Sequence, residues 1–148
     1  MKTDKTYWIY KCNLRNGEHQ RHYGDWSWFF EKAKEHDPLR WGTTEVVDQL
    51  EELSKDDTIL AYQTDRNELV GVARVAEMRK SGPFTDVMLS PVETIGAKVR
   101  PLKKADKRIA EIDALKAGPI KTLYKLTGPE AKLLISAAKE SVRSKASR

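Results

Sequence analysis

Four tryptophans, Trp8, Trp26, Trp28 and Trp41, crowd the first third of this 148-residue chain, with Tyr23, Phe29, Phe30 and Tyr62 nearby. An indole offers a broad π-face for stacking on another planar ring, and its N–H donates one hydrogen bond. Trp26 and Trp28 stand two apart, where a polar stretch containing Gly17 and Gly24 gives way to a helical pattern. Residues at i and i+2 do not share a helix face, so one can turn into the core while the other lines a hollow. Tryptophans beside glycine in loops are costly to leave exposed. Trp26, Trp28 and Trp41 are therefore candidate walls of a slot for a flat ligand, while Trp8, Phe29 and Phe30 read as core.

Other reactive groups form weaker patterns. His19 and His22 lie three apart near Cys12 and Asp25, but their spacing matches no standard zinc site. Cys12 ends an apolar stretch and reads as a small buried residue rather than a nucleophile. Neither a glycine-rich phosphate loop nor a Gly-x-Ser-x-Gly elbow is present. No metal, cofactor or catalytic residue is assigned, and the expectation is a binding domain rather than an enzyme.

Charge is distributed unevenly. The chain carries a net +5, yet residues 98–148 hold 14 Lys/Arg against 5 Asp/Glu, a local +9. The first 97 residues are left at −4. Such asymmetry points to a polyanion, DNA or RNA, whose phosphates release counterions to basic side chains. A single cysteine suits a reducing compartment. Residues 1–5 are polar and charged, no apolar run approaches the ~20 residues of a membrane helix, and the expected location is cytoplasmic with no membrane partner.

The elements that must position these groups can be read from periodicity. Residues 7–12 are aromatic and β-branched, as are 58–64, 69–76 and 84–92, so all four read as strands. Gly71 inside the third marks a bulge or a close backbone approach. Residues 26–36 read as a helix capped by Asp25 and stopped by Pro38. Trp41-Gly42 reads as a turn, and residues 45–53 as a helix capped by Thr44. Residues 105–117 carry a short helical stripe, 120–126 a strand or connector, and Thr127 with Glu130 forms a capping box for a last helix. That helix is expected to fray after Ser141. The order gives one α+β domain over residues 1–148, with a curved, mostly antiparallel sheet or small barrel.

The succession Tyr7-Trp8-Ile9-Tyr10-Lys11-Cys12-Asn13, Gly24-Asp25-Trp26-Ser27-Trp28, residues 57–64 and Leu69-Val70-Gly71-Val72-Ala73-Arg74-Val75 resembles the EVE family. That family lies within the PUA-like superfamily, which also includes YTH domains. The resemblance spans about residues 7–139. It implies a small barrel of five or six strands flanked by helices, with a pocket that accepts a flipped, modified base. Carried over by position, Trp26 and Trp28 are cage walls, Asn13 is a polar reader, and Tyr62 and Gln63 line the pocket. Lys11-Cys12-Asn13 departs from the Lys-x-Glu-Pro ending common in the family. Trp41 is a further wall, and Ser27 adds a hydroxyl contact.

Base flipping costs a few kcal/mol, and stacking on an aromatic ring returns ~1–3 kcal/mol per base. Arg66, Arg74, Lys98, Arg100, Lys103 and Lys104 are the expected phosphate contacts, which position a strand without reading it. Two alternatives stand beside this reading. One is a PUA-like RNA-binding module blind to modification. The other is a hydrolase of modified bases using Lys, Glu and Thr, although no spacing in the chain unites such a trio.

Overall fold

The computed structural model describes residues 6–12, 25–44, 48–99, 104, 106–116 and 122–146. Its centre is a six-stranded sheet. The strands are β1 (Tyr7–Cys12), β2 (Leu39–Thr43), β3 (Thr58–Gln63), β4 (Glu68–Ser81), β5 (Phe84–Lys98) and β6 (Leu123–Leu126), ordered β2-β5-β4-β3-β1-β6. All neighbours are antiparallel except β1 and β3, which run parallel from Tyr7↔Thr58 to Cys12↔Gln63. The helices are α1 (Trp26–Lys32), α2 (Lys107–Ala110), α3 (Asp113–Lys116) and α4 (Gly128–Ala146), with a 3-10 turn at Asp48–Glu52.

Side-chain alternation buries the sheet on both faces. Trp8, Tyr10, Cys12, Ile59 and Ala61 point to one side, where α1 supplies Trp26, Phe29 and Phe30. Ile9, Leu60, Tyr62 and Leu69 point to the other, covered by Ile109, Leu115, Leu134 and Ala138 of the later helices and by Ile112 between α2 and α3. Gly71 admits the α1 contact. A Cβ there would lie 2.6 Å from the Phe30 ring and 2.5 Å from the Glu93 carbonyl oxygen. The β4–β5 ladder also shifts register beside it, so close approach and bulge occur together.

The α+β architecture is the expected one, with an open sheet whose ends are β2 and β6. A side-chain bridge curls it: the Tyr10 hydroxyl donates to the Trp41 carbonyl at 3.2 Å. Trp41-Gly42 is consequently not a turn but the middle of β2. The start of the helix expected after Thr44 lies outside the described residues, and what is described of it is the 3-10 turn at Asp48–Glu52. The amide and hydroxyl of Thr44 pair with Thr85 and prolong the β2–β5 ladder. Two expected helices are shorter: α1 stops at Lys32, and within residues 106–116 the expected stripe is divided into α2 and α3. The capping box is present, with Glu130 N donating to Thr127 Oγ1 and Thr127 N to Glu130 Oε1. Beyond it α4 continues to Ala146, past the expected fraying point. No helix among the described residues is long and apolar enough to cross a membrane.

Candidate nucleic-acid interface

Strands β1 and β3 end side by side at Cys12 and Gln63, and the chain delivers α1 to this end of the sheet. Asp25 caps α1 by accepting from Ser27 N at 3.0 Å. Gln63 anchors it from below. Its Oε1 accepts from Trp26 N at 2.9 Å, and its Nε2 donates to Asp65 Oδ1 at 2.6 Å. Trp26 then drops its indole into the core, where Nε1 donates to the Tyr10 carbonyl at 3.0 Å. The bonds made by Trp26 N, Trp26 Nε1 and the Gln63 amide satisfy groups on buried residues that would otherwise lack a partner.

The indoles form a stack with Trp41 as the common member. Trp26 lies 4.8 Å from Trp41 with 30° between planes, and Trp28 lies 6.2 Å from it at 22°. Trp26 and Trp41 are 0% exposed, while Trp28 is only partly buried. Trp26 and Trp41 are thus core rather than accessible cage walls. Trp26 begins α1 with its side chain directed at the sheet, and Trp41 sits on a strand rather than a turn. Trp28 alone of the three presents part of its surface.

Above this stack lies a polar cluster centred on Arg66. Its Nη2 donates to Ser27 Oγ at 2.9 Å and lies 3.5 Å from Asp25 Oδ1, while Nε donates to Glu68 Oε1 at 3.2 Å. Lys98 Nζ donates to the Arg66 carbonyl at 3.3 Å and stands 3.7 Å from Glu68. With Asp65 included, three carboxylates face two cations. The cluster therefore offers hydrogen-bond acceptors as much as positive charge. Cys12 is buried near Asp25 and Asp65, and burial pushes its thiol well above the usual range. It is a protonated core residue, not a nucleophile.

The structure brings Ser27, Trp28, Gln63, Arg66 and Lys98 to one end of the sheet and separates other expected residues from them. Gln63 is fully buried with both amide atoms engaged, so it supports α1 instead of facing a ligand. Tyr62 projects from the opposite face, as the two-residue period requires, and donates to Asn67 Oδ1 at 3.2 Å. Arg74 pairs with Thr58 at the far end of β3 and bonds Asp56 Oδ1 at 2.9 Å, so it does not share the site. Lys104 is exposed just before α2. Asn13, Arg100, Lys103, His19 and His22 lie outside the described residues. Among those described, no group of His, Cys, Asp or Glu is arranged to hold a metal. Sequence reading saw Asp25 as a helix cap and as a neighbour of His19, His22 and Cys12, and did not single out Asp65. The site that Asp25 and Asp65 share arises from the parallel β1–β3 pairing, which no local pattern encodes.

No family model matches the chain, and none of the curated proteins matches it in sequence. Solved structures share its fold. Rpa0253 from Rhodopseudomonas palustris superposes with a TM-score of 0.62 at 17% identity, covering 90% of this chain and 92% of that one. A hypothetical protein from Leishmania major gives 0.64 at 15% identity, over 93% and 96%. Human THYN1, solved in complex with DNA containing 5-methylcytosine, gives 0.59 at 12% identity, over 91% and 98%. What these similarities establish is a shared α+β fold.

Proposed function

We propose that this chain is an EVE-type, non-catalytic nucleic-acid-binding domain that holds one modified base against Trp28 at the β1–β3 end of the sheet. The observation that carries the reading is the stack: a partly exposed indole backed by a buried one, beside a cluster rich in acceptors. A base lying on Trp28 would gain ~1–3 kcal/mol from stacking. Asp25 and Asp65 are suited to accept from an exocyclic amino group, as carboxylates do from cytosine N4. The fold shared with a protein solved on 5-methylcytosine DNA supports the same reading. A buried methyl adds ~0.8 kcal/mol, about fourfold, so larger discrimination would require a close fit around it.

The test is fluorescence anisotropy on duplex and single-stranded oligonucleotides identical but for one base: cytosine, 5-methylcytosine, adenine or N6-methyladenine. The reading expects salt-dependent binding and tighter binding of at least one methylated base. Absence of binding at low ionic strength would sink it. Equal affinity for every base would leave a binding domain blind to modification.

A further inference from the structure

Strands β4 and β5 pair from Glu68↔Lys98 to Ser81↔Phe84, but their neighbours do not accompany them to the end. The β3 ladder stops at Thr58↔Arg74, and backbone bonds from Asp56 and Asp57 extend that cover only to Val75. On the other side β2 pairs with Asp86–Leu89, and Thr44 extends it to Thr85. Among the described residues, the segment from Arg79 to Phe84 is therefore a two-stranded ribbon with no further strand on either edge, turned at Gly82 with φ +65°.

Its surface suits a polyanion with an apolar floor. Arg79, Lys80, Gly82, Pro83 and Phe84 are all exposed. Phe84, at 37%, and Val92, at 57%, are the two large apolar side chains so exposed among the described residues. Arg40 lies on the adjoining strand. Against Arg79, Lys80 and Arg40 stand two acids: Glu77, 2.8 Å from Arg79, and Asp86, 3.9 Å from Arg40. Among the described residues the ribbon thus keeps a positive surplus, whereas the Arg66 cluster does not.

We infer that this ribbon is an arm that enters the major groove of duplex DNA, with Lys80 and Arg79 at the phosphates and Phe84 against base edges. The inference rests on the nucleic-acid reading above. The B-form major groove admits a two-stranded ribbon, and phenylalanine makes apolar contact with the thymine methyl. The deep, narrow major groove of A-form RNA does not admit it. Trp41, which stacks on Trp28, stands on the strand that pairs with the arm's β5. Arg40, next to Trp41, pairs with Met88, and Phe84 lies four residues farther along β5. That is roughly 13 Å at ~3.3 Å per residue, about four base-pair steps at ~3.4 Å each. One duplex can therefore touch Trp28 and the arm together.

The test compares wild type, Lys80→Ala/Phe84→Ala and Trp28→Ala by anisotropy on duplex DNA, duplex RNA and single-stranded DNA of one sequence, at several salt concentrations. Both substitutions in the double variant are at exposed positions, so its melting temperature should match wild type. The expected result is duplex-DNA affinity lower on the order of tenfold and a salt slope smaller by about one. Single-stranded affinity and the preference for a methylated base should stay unchanged. Unchanged duplex-DNA affinity in the double variant, alongside weakened binding in Trp28→Ala, would overturn the arm and leave the base site standing. Equal losses on duplex DNA and duplex RNA would overturn the groove assignment. A wild-type protein that binds none of the three would overturn the nucleic-acid reading and the arm with it.

Discussion

The side-chain amide of Gln63 accepts a hydrogen bond from the backbone N–H of Trp26 at 2.9 Å, joining the last residue of β3 to the first of α1 across 37 positions. The same amide holds Asp65. Gln63→Leu keeps the volume and removes both bonds, leaving a buried N–H unsatisfied. The expected cost is about 1–3 kcal/mol, read from the urea midpoint, with a parallel loss of ligand affinity as α1 loosens. An unchanged midpoint would show that α1 does not depend on this anchor.

Trp28 and Trp26 should separate binding from folding. Trp26→Ala empties a fully buried site and should destabilise the protein by about 3–5 kcal/mol. Trp28→Ala should cost less stability, because its side chain is partly solvated, and about 1–3 kcal/mol of base binding. Thermal melts and anisotropy on the same preparations decide it. Equal stability losses would make Trp28 a structural residue.

Gly71→Ala tests the seat of α1. The added methyl would meet the Phe30 ring and the Glu93 carbonyl at well below contact distance, and overpacking of this kind costs about 1–3 kcal/mol. A companion Phe30→Leu substitution should recover part of that loss, since only the ring can give way. Additive losses in the pair would mean that the two groups do not collide.

Arg66 and Arg74 should behave differently. Arg66 is held by Asp25 and Glu68, so Arg66→Ala should weaken base binding several-fold while changing the salt slope by less than the ~1 unit of a direct phosphate contact. Arg74→Ala, at the far end of β3, should leave both affinity and slope as they are. A full-unit slope change in the Arg66→Ala protein would make Arg66 a phosphate ligand after all.

Cys12 predicts a pH dependence. Its folded thiol is held above the unfolded value of ~8.5, chiefly by burial. Above that pH the unfolded chain releases a proton that the folded one retains, so stability falls as pH rises. Urea unfolding at pH 7.5 and 9.5 should show a larger loss for wild type than for Cys12→Ala. Identical losses would show that the thiol ionises equally in both states.

Much of this fold was legible where neighbours in sequence are neighbours in space. Aromatic and β-branched content in Tyr7–Cys12 and Thr58–Gln63 marked both strands, Asp25 and Thr127 marked helix starts, and Gly71 marked a bulge or a close approach. The site was less legible. Trp41 reads as a turn because it precedes glycine, yet pairing with distant β5 makes it strand and core. Tyr62 was grouped with Trp26 by chemistry, but strand phase sends them to opposite faces. Arg66 gains its partners from α1, β4 and β5 at once, and no window of sequence contains all three.

The position of β1 between β3 and β6 has a kinetic consequence. Tyr7 pairs with Thr58 on one side and Leu126 on the other. The opening strand must therefore wait through synthesis of most of the chain before both its edges are covered. Sequence-distant pairing of this kind raises contact order and slows folding. During translation β1 exposes an aromatic, apolar edge, the feature that recruits chaperones or invites strand exchange. Joining the two ends by circular permutation and opening the chain after β5, so that β6 and α4 are made before β1, should shorten that wait and speed refolding.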